Sequence, residues 1–108
     1  MHETVTEYRF VEVMHRHGFS YEGAHTLFRV LEDYEELTGT QMEFDPVAIR
    51  CDFKEYASAG EAATDFYGHD IADKMTEAEA YDRLEEDFCR LYPIHYNGHF
   101  WGYIAEPR

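Results

Sequence analysis

Residues 43–56 read EFDPVAIRCDFKEY and decide the predicted fold, because they carry the clearest strand pattern in a chain otherwise dominated by helical spacing. From Val47 onward the side chains alternate between two faces. One face holds Val47, Ile49, Cys51 and Phe53, and the other holds Ala48, Arg50, Asp52 and Lys54. Such alternation is typical of a half-buried strand, and Pro46 is tolerated at a strand's first residue. This stretch predicts one strand with helical segments on both sides.

The strongest helical pattern covers residues 20–38. Ser20 is a good N-cap, apolar residues recur at three- and four-residue steps, and Gly39 supplies the stop. Before it, residues 4–17 can form a helix that ends at Gly18, although their β-branched residues are also compatible with a strand.

Two capping boxes predict two further helices. Ser58 opens a short helix that closes at Gly68, and Thr76 opens a longer one that Pro93 ends. Both boxes have the Ser/Thr-x-x-Glu form, in which side chain and backbone cap each other.

The segment 92–104 places Asn97-Gly98 between two aromatic and β-branched runs, which predicts a two-residue hairpin with Tyr96 opposite His99. The complete pattern predicts an α+β fold, with a small three-stranded antiparallel sheet (one central strand plus the C-terminal hairpin) packed with about four helices. We expect residues 1–108 to form a single domain, since no repeat or low-complexity linker divides them.

Composition sets limits on location. No run of about 18 apolar residues is present, which argues against a membrane span. The first residues lack the basic start and apolar segment of a secretory signal. We therefore expect a cytoplasmic protein.

Charge narrows the class of partner. The chain has 9 Lys and Arg against 23 Asp and Glu, for a formal net charge of −14. Direct nucleic-acid binding is disfavoured because a phosphate backbone requires a basic surface. A basic protein partner is favoured instead.

The acidic residues are concentrated in two regions. Residues 30–45 contain six acids and no Lys or Arg, and residues 55–87 contain eleven acids against two bases. The macrodipole disfavours acids near a helix C-terminus by about 0.3–1 kcal/mol each. The like-charge pairs Glu32/Glu36 and Asp82/Glu86 add a few tenths of a kcal/mol. The predicted partner-binding residues are Glu32, Asp33, Glu35, Glu36, Glu43, Glu79, Asp82, Glu85, Glu86 and Asp87.

Carboxylates one helical turn apart are separated by about 5–6 Å, similar to successive phosphates of a nucleic-acid strand. These acids could therefore imitate a nucleic-acid backbone. The alternatives are the solvated faces of ordinary amphipathic helices, or an acidic interaction protein without mimicry.

No catalytic residue, metal site or cofactor is predicted, and the chain is not expected to be an enzyme. The seven histidines form no zinc motif, and Cys51 and Cys89 are best explained as buried free thiols. The aromatic hairpin offers a hydrophobic anchor for a protein partner, and a homodimer through this edge is a further option.

The phrases GFSYEGA at residues 18–24 and EFDPVAIRCDF at residues 43–53, with Glu55-Tyr56 and the helix that follows, resemble small acidic proteins encoded by phages and other mobile elements. The resemblance covers residues 18–68, about half the chain, and implies no particular activity. Members usually end in a short acidic helix and a strand pair, which residues 76–104 resemble. The seven histidines and the aromatic tail depart from this pattern.

Size and charge also resemble those of anti-CRISPR proteins. This resemblance implies a stoichiometric inhibitor whose acids occupy the basic groove of a host defence complex, with a CRISPR–Cas effector as the favoured partner. The alternative is a phage accessory or adaptor module that binds another basic protein.

Overall fold

The computed structural model describes residues 6–108. Six helices and three strands occupy this range. In chain order they are α1 (Glu7–Arg16), α2 (Tyr21–Thr38), α3 (Pro46–Asp52), β1 (Lys54–Tyr56), α4 (Ala59–Tyr67), α5 (His69–Ala72), α6 (Glu77–Asp87), β2 (Cys89–Tyr96) and β3 (His99–Pro107). Residues 4 and 5 of the predicted first helix lie outside the described residues.

The three strands form one antiparallel sheet in the order β1-β3-β2, and the predicted α+β fold class is confirmed. The hairpin prediction is also confirmed. Asn97 and Gly98 have positive φ angles of 52° and 77°, as a type I′ turn requires, and Tyr96 pairs with His99.

The predicted strand from Val47 to Lys54 is wrong, because most of it is helix α3. Asp45 caps this helix by accepting a hydrogen bond from the Ala48 N–H at 3.2 Å, and Pro46 occupies the first turn. Ile49 is buried within α3 and Phe53 is buried at its C-cap, whereas Val47 is 52% exposed and Cys51 is also exposed. The predicted strand face would have buried Val47 and Cys51 together with Ile49 and Phe53. The Asp-Pro start therefore outweighs the alternation, and only residues 54–56 form a strand.

The predicted caps of the other helices are present. Ser20 caps α2, which ends at Gly39 with a φ of 68°. Ser58 caps α4 by accepting the Glu61 N–H, but among the described residues Glu61 does not return the bond that the predicted capping box requires. Thr76 forms the full capping box at α6. That helix ends at Asp87, before the predicted stop at Pro93, because the residues from Cys89 onward pair with β3.

Helices cover both faces of the sheet. On one face, Ile94 and Ile104 join a core built mainly from α1, α2 and α3. On the other, Leu91 and Ala105 join a core built mainly from α4, α5 and α6. This alternation along β2 and β3 is the normal consequence of side chains pointing to opposite faces of a strand. The acidic helices α2 and α6 therefore lie on opposite sides of one sheet.

Candidate acidic interaction surface

The C-terminal halves of α2 and α6 each contribute a residue to one cavity at an end of the sheet. Tyr34 of α2 and Glu85 of α6 line the same surface cavity, of about 460 Å³, together with Arg90 and Glu106. The fold thus brings two acidic regions that are distant in sequence to the same end of the molecule.

Eight of the ten predicted acids are exposed, and six of these eight make no hydrogen bond or ion pair within residues 6–108. We call this set the acidic surface. Its members are Glu32, Asp33, Glu36, Glu43, Asp82 and Glu86. Neither α2 nor α6 has a basic residue in its last turn. No cation in the last turn of either helix opposes the negative end of the dipole, and the like-charge pairs Glu32/Glu36 and Asp82/Glu86 both lie within helices.

Glu35 does not belong to the acidic surface. Its side chain is 9% exposed, and it accepts a hydrogen bond from the Met42 N–H at 2.7 Å. Burial alone would raise the pKa of this carboxyl, but its hydrogen bonds outweigh burial and hold the pKa below the ordinary value. Glu35 fixes the chain that leaves α2, a contact that helical periodicity does not reveal.

The remaining three acids have partners within the fold. Glu79 accepts the Thr76 N–H at 3.2 Å in the capping box. Asp87 accepts the Tyr67 hydroxyl at 3.0 Å and lies 3.7 Å from the Arg83 Nε. These carboxylates support local structure as well as adding negative charge.

Glu85 closes part of the outer edge of the sheet. Its carboxylate accepts the Leu91 N–H at 2.9 Å, and Pro93, two residues on, has no N–H to donate. Neither Leu91 nor Pro93 can therefore donate a backbone N–H to a further strand, so a strand cannot readily pair with this edge of β2. A homodimer formed by pairing β2 edges is therefore disfavoured.

The hairpin carries exposed rings, as its sequence predicted. Tyr96, Phe100 and Trp101 are 39%, 49% and 48% exposed. The register shifts by one residue between Ile94 and His95, which leaves Trp101 as an extra residue in β3.

A row of four rings connects the hairpin to α6. His95 contacts Phe100 with ring centroids 5.7 Å apart, Phe100 contacts Tyr103 at 5.1 Å, and Tyr103 contacts Tyr81 at 5.5 Å. We call this row the aromatic row. Burial and then the negative charges of Glu85 and Asp82 raise the pKa of the Tyr81 phenol. The row therefore borders the carboxylates of α6.

Sequence reasoning missed a polar cluster between α2 and the sheet. The Tyr34 and Tyr92 hydroxyls lie 2.6 Å apart, and both approach Glu106 Oε1, at 2.6 Å and 3.0 Å. Burial and these hydrogen bonds raise the pKa of Tyr92. The three residues lie on α2, β2 and β3, so no local spacing in the sequence predicts that they meet.

The cysteines differ from each other. Cys89 is fully buried, and burial raises the pKa of its thiol. Cys51 is exposed on α3, so the prediction that it is buried is wrong. The predicted strand would have placed Cys51 on the buried face, but helix α3 places it on the exposed side.

Two histidines in the described part of the chain make local contacts between α1, α2 and the hairpin. His15 bonds the Phe19 carbonyl and stacks on Tyr21, while His25 contacts Glu7 and stacks on Tyr96. His2 lies outside the described residues. Within residues 6–108, no three His, Cys, Asp or Glu side chains converge on a point that could hold a metal ion, and no helix has the length and apolarity needed to cross a bilayer.

The fold and the surface together define a small α+β protein with an acidic surface and a row of partly exposed rings. No family model matches this chain, and neither a curated protein nor a solved structure matches it.

Proposed function

We propose that this chain is a stoichiometric protein inhibitor that acts in the host cytoplasm, occupying the basic nucleic-acid-binding groove of a defence complex, with a CRISPR–Cas effector as the favoured partner. The observation that supports this most is the acidic surface: six exposed carboxylates that have no partner within residues 6–108. Five of them, Glu32, Asp33, Glu36, Asp82 and Glu86, lie on the two helices whose C-terminal halves line one cavity at an end of the sheet.

The electrostatics favour a basic partner. Unpaired carboxylates remain available for Arg and Lys side chains, and a net charge of −14 accelerates encounter with a positive groove. Within α2, Glu32 and Glu36 are one helical turn apart, which gives about the 5–6 Å separation of neighbouring phosphates. A groove shaped for phosphates can accept the same spacing of charge.

Inhibition of this kind requires no turnover. The chain would compete with nucleic acid for the groove, and its effect would follow the ratio of inhibitor to complex. The resemblance of residues 18–68 to proteins of mobile elements is consistent with a host defence complex as the target.

A second candidate is an adaptor that binds another basic protein away from any nucleic-acid groove. The exposed rings of Phe100 and Trp101 favour it, because aromatic side chains commonly anchor protein interfaces. DNA would not displace such a partner.

Binding to a panel of purified CRISPR–Cas effectors, measured by isothermal titration calorimetry at low and high salt, tests the proposal. The variant E32Q/D33N/E36Q removes three charges from the acidic surface, and the control E61Q/D70N/D73N removes three exposed charges elsewhere. We expect the first variant to weaken binding at least about tenfold more than the second, because only the first removes carboxylates of the acidic surface. The two variants have the same net charge, so overall charge cannot explain the difference. Equal losses would contradict a role for this surface.

A further inference from the structure

The aromatic row and the carboxylates beside it form a surface that is distinct from the acidic end of α2. Phe100 is half-exposed, and its ring contacts both His95 and Tyr103. The row continues to Tyr81 on α6, next to the exposed Asp82. The patch therefore consists of the aromatic row with carboxylates at its α6 end.

We propose that this patch binds arginine side chains of a basic partner, with guanidinium groups stacked on the aromatic row and paired with the carboxylates of α6. The inference deepens the proposed function and rests on it, because it names the partner side chains that the acidic protein would select.

Charge complementarity identifies the occupant. A second copy of this chain would bring another net charge of −14, and the β2 edge is closed by Glu85 and Pro93. A neutral apolar segment would leave the adjacent carboxylates without partners. A cationic segment can make cation–π contacts with the rings and charge-assisted hydrogen bonds with the carboxylates at the same time.

Arginine suits this patch better than lysine. Its guanidinium is planar and weakly hydrated, so it can stack on a ring while it pairs with a carboxylate. Lysine carries a compact, strongly hydrated charge, and it gains mainly from the carboxylates. The patch should therefore distinguish two peptides of equal charge.

Fluorescence anisotropy with labelled nona-arginine and nona-lysine peptides at low salt tests the inference. We expect the wild-type protein to bind nona-arginine about tenfold more tightly than nona-lysine. Phe100→Leu keeps apolar bulk but removes the ring, and it should reduce this preference to about threefold or less. The control Tyr8→Ala removes a 77% exposed ring outside the row and should leave the preference unchanged.

Asp82→Asn provides a second variant. It should weaken binding of both peptides and leave their ratio unchanged, since it removes charge but no ring. Equal affinities of the wild-type protein for both peptides, or an unchanged preference in Phe100→Leu, would overturn the inference and leave the proposed function standing. Failure of both peptides to bind would overturn the inference and the charge-based function together.

Discussion

The carboxylate of Glu55 accepts two hydrogen bonds from Ser20, one from the backbone N–H at 2.9 Å and one from the hydroxyl at 2.6 Å. The Ser20 hydroxyl oxygen in turn accepts the Gly23 N–H at 2.9 Å. These contacts join β1 to the first turn of α2. A carboxylate at a helix N-terminus is favourable because it satisfies free N–H groups and opposes the positive end of the dipole.

Gly23→Ala should destabilise the protein. A Cβ at this position would overlap the Glu55 carboxylate, which must then leave Ser20. We expect a loss of about 1–3 kcal/mol in the free energy of unfolding, measured by urea denaturation. Gly60→Ala is the matched control, because Gly60 is also in a first helical turn and its Cβ would meet Glu77 only at an ordinary 3.5 Å. It should be neutral or stabilising by up to about 1 kcal/mol. Equal effects of the two substitutions would contradict the close approach at Gly23.

Gly102→Ala should be more damaging than Gly98→Ala. Both glycines have positive φ angles, of 132° and 77°, but only at Gly102 would a Cβ collide with the backbone carbonyl of Tyr56. We expect a loss of about 3 kcal/mol or more at Gly102 and about 1 kcal/mol at Gly98, from urea denaturation of both variants. Similar losses would show that β1 does not pass this close to β3.

Glu35→Gln should reduce stability without reducing partner binding. The native pKa of Glu35 lies below the ordinary value of 4.5, so its carboxylate stabilises the fold above that pH, and this contribution is lost as the pH falls through the native pKa. We expect the variant to be about 1–2 kcal/mol less stable near neutral pH, with a difference that shrinks as the pH is lowered from neutral to well below 4.5. Urea denaturation across this range measures it. A stability difference that does not change with pH would contradict the ionised, hydrogen-bonded state of Glu35.

The two thiols should react at different rates. With a chromogenic disulfide reagent at mildly alkaline pH, the exposed Cys51 should react quickly, while the buried Cys89, whose pKa is raised, should react only after unfolding in urea. Cys51→Ser should remove the fast phase. Two fast thiols in the native wild-type protein would contradict the burial of Cys89.

Local signals in the sequence were sufficient to predict the helix caps and the hairpin. Ser20, Thr76 and the Asn97-Gly98 turn act through neighbours only a few residues away, so their pattern is complete in the sequence. The stretch from Val47 to Lys54 was misassigned because alternation and four-residue spacing overlap there, and the start signal of Asp45-Pro46 was given too little weight.

Other features depend on contacts between distant segments. The cap that Glu77 provides at the Ala59 N–H, at 2.7 Å, joins two helices across 18 residues, and the Tyr34–Glu106 hydrogen bond spans 72. For the candidate surface, helical spacing in the sequence was enough to predict that Glu32 and Asp82 are exposed. The burial of Glu35 did not, because it depends on the path of the loop at Met42.

Competition with nucleic acid tests the central claim most directly. The measurement is the apparent Kd of the chain for a captured CRISPR–Cas effector, determined by surface plasmon resonance at increasing concentrations of double-stranded DNA that carries the effector's target. If the acidic surface occupies the DNA-binding groove, the apparent Kd should rise in proportion to the DNA concentration, and E32Q/D33N/E36Q should bind weakly throughout. An apparent Kd that does not change with DNA would contradict occupation of the groove.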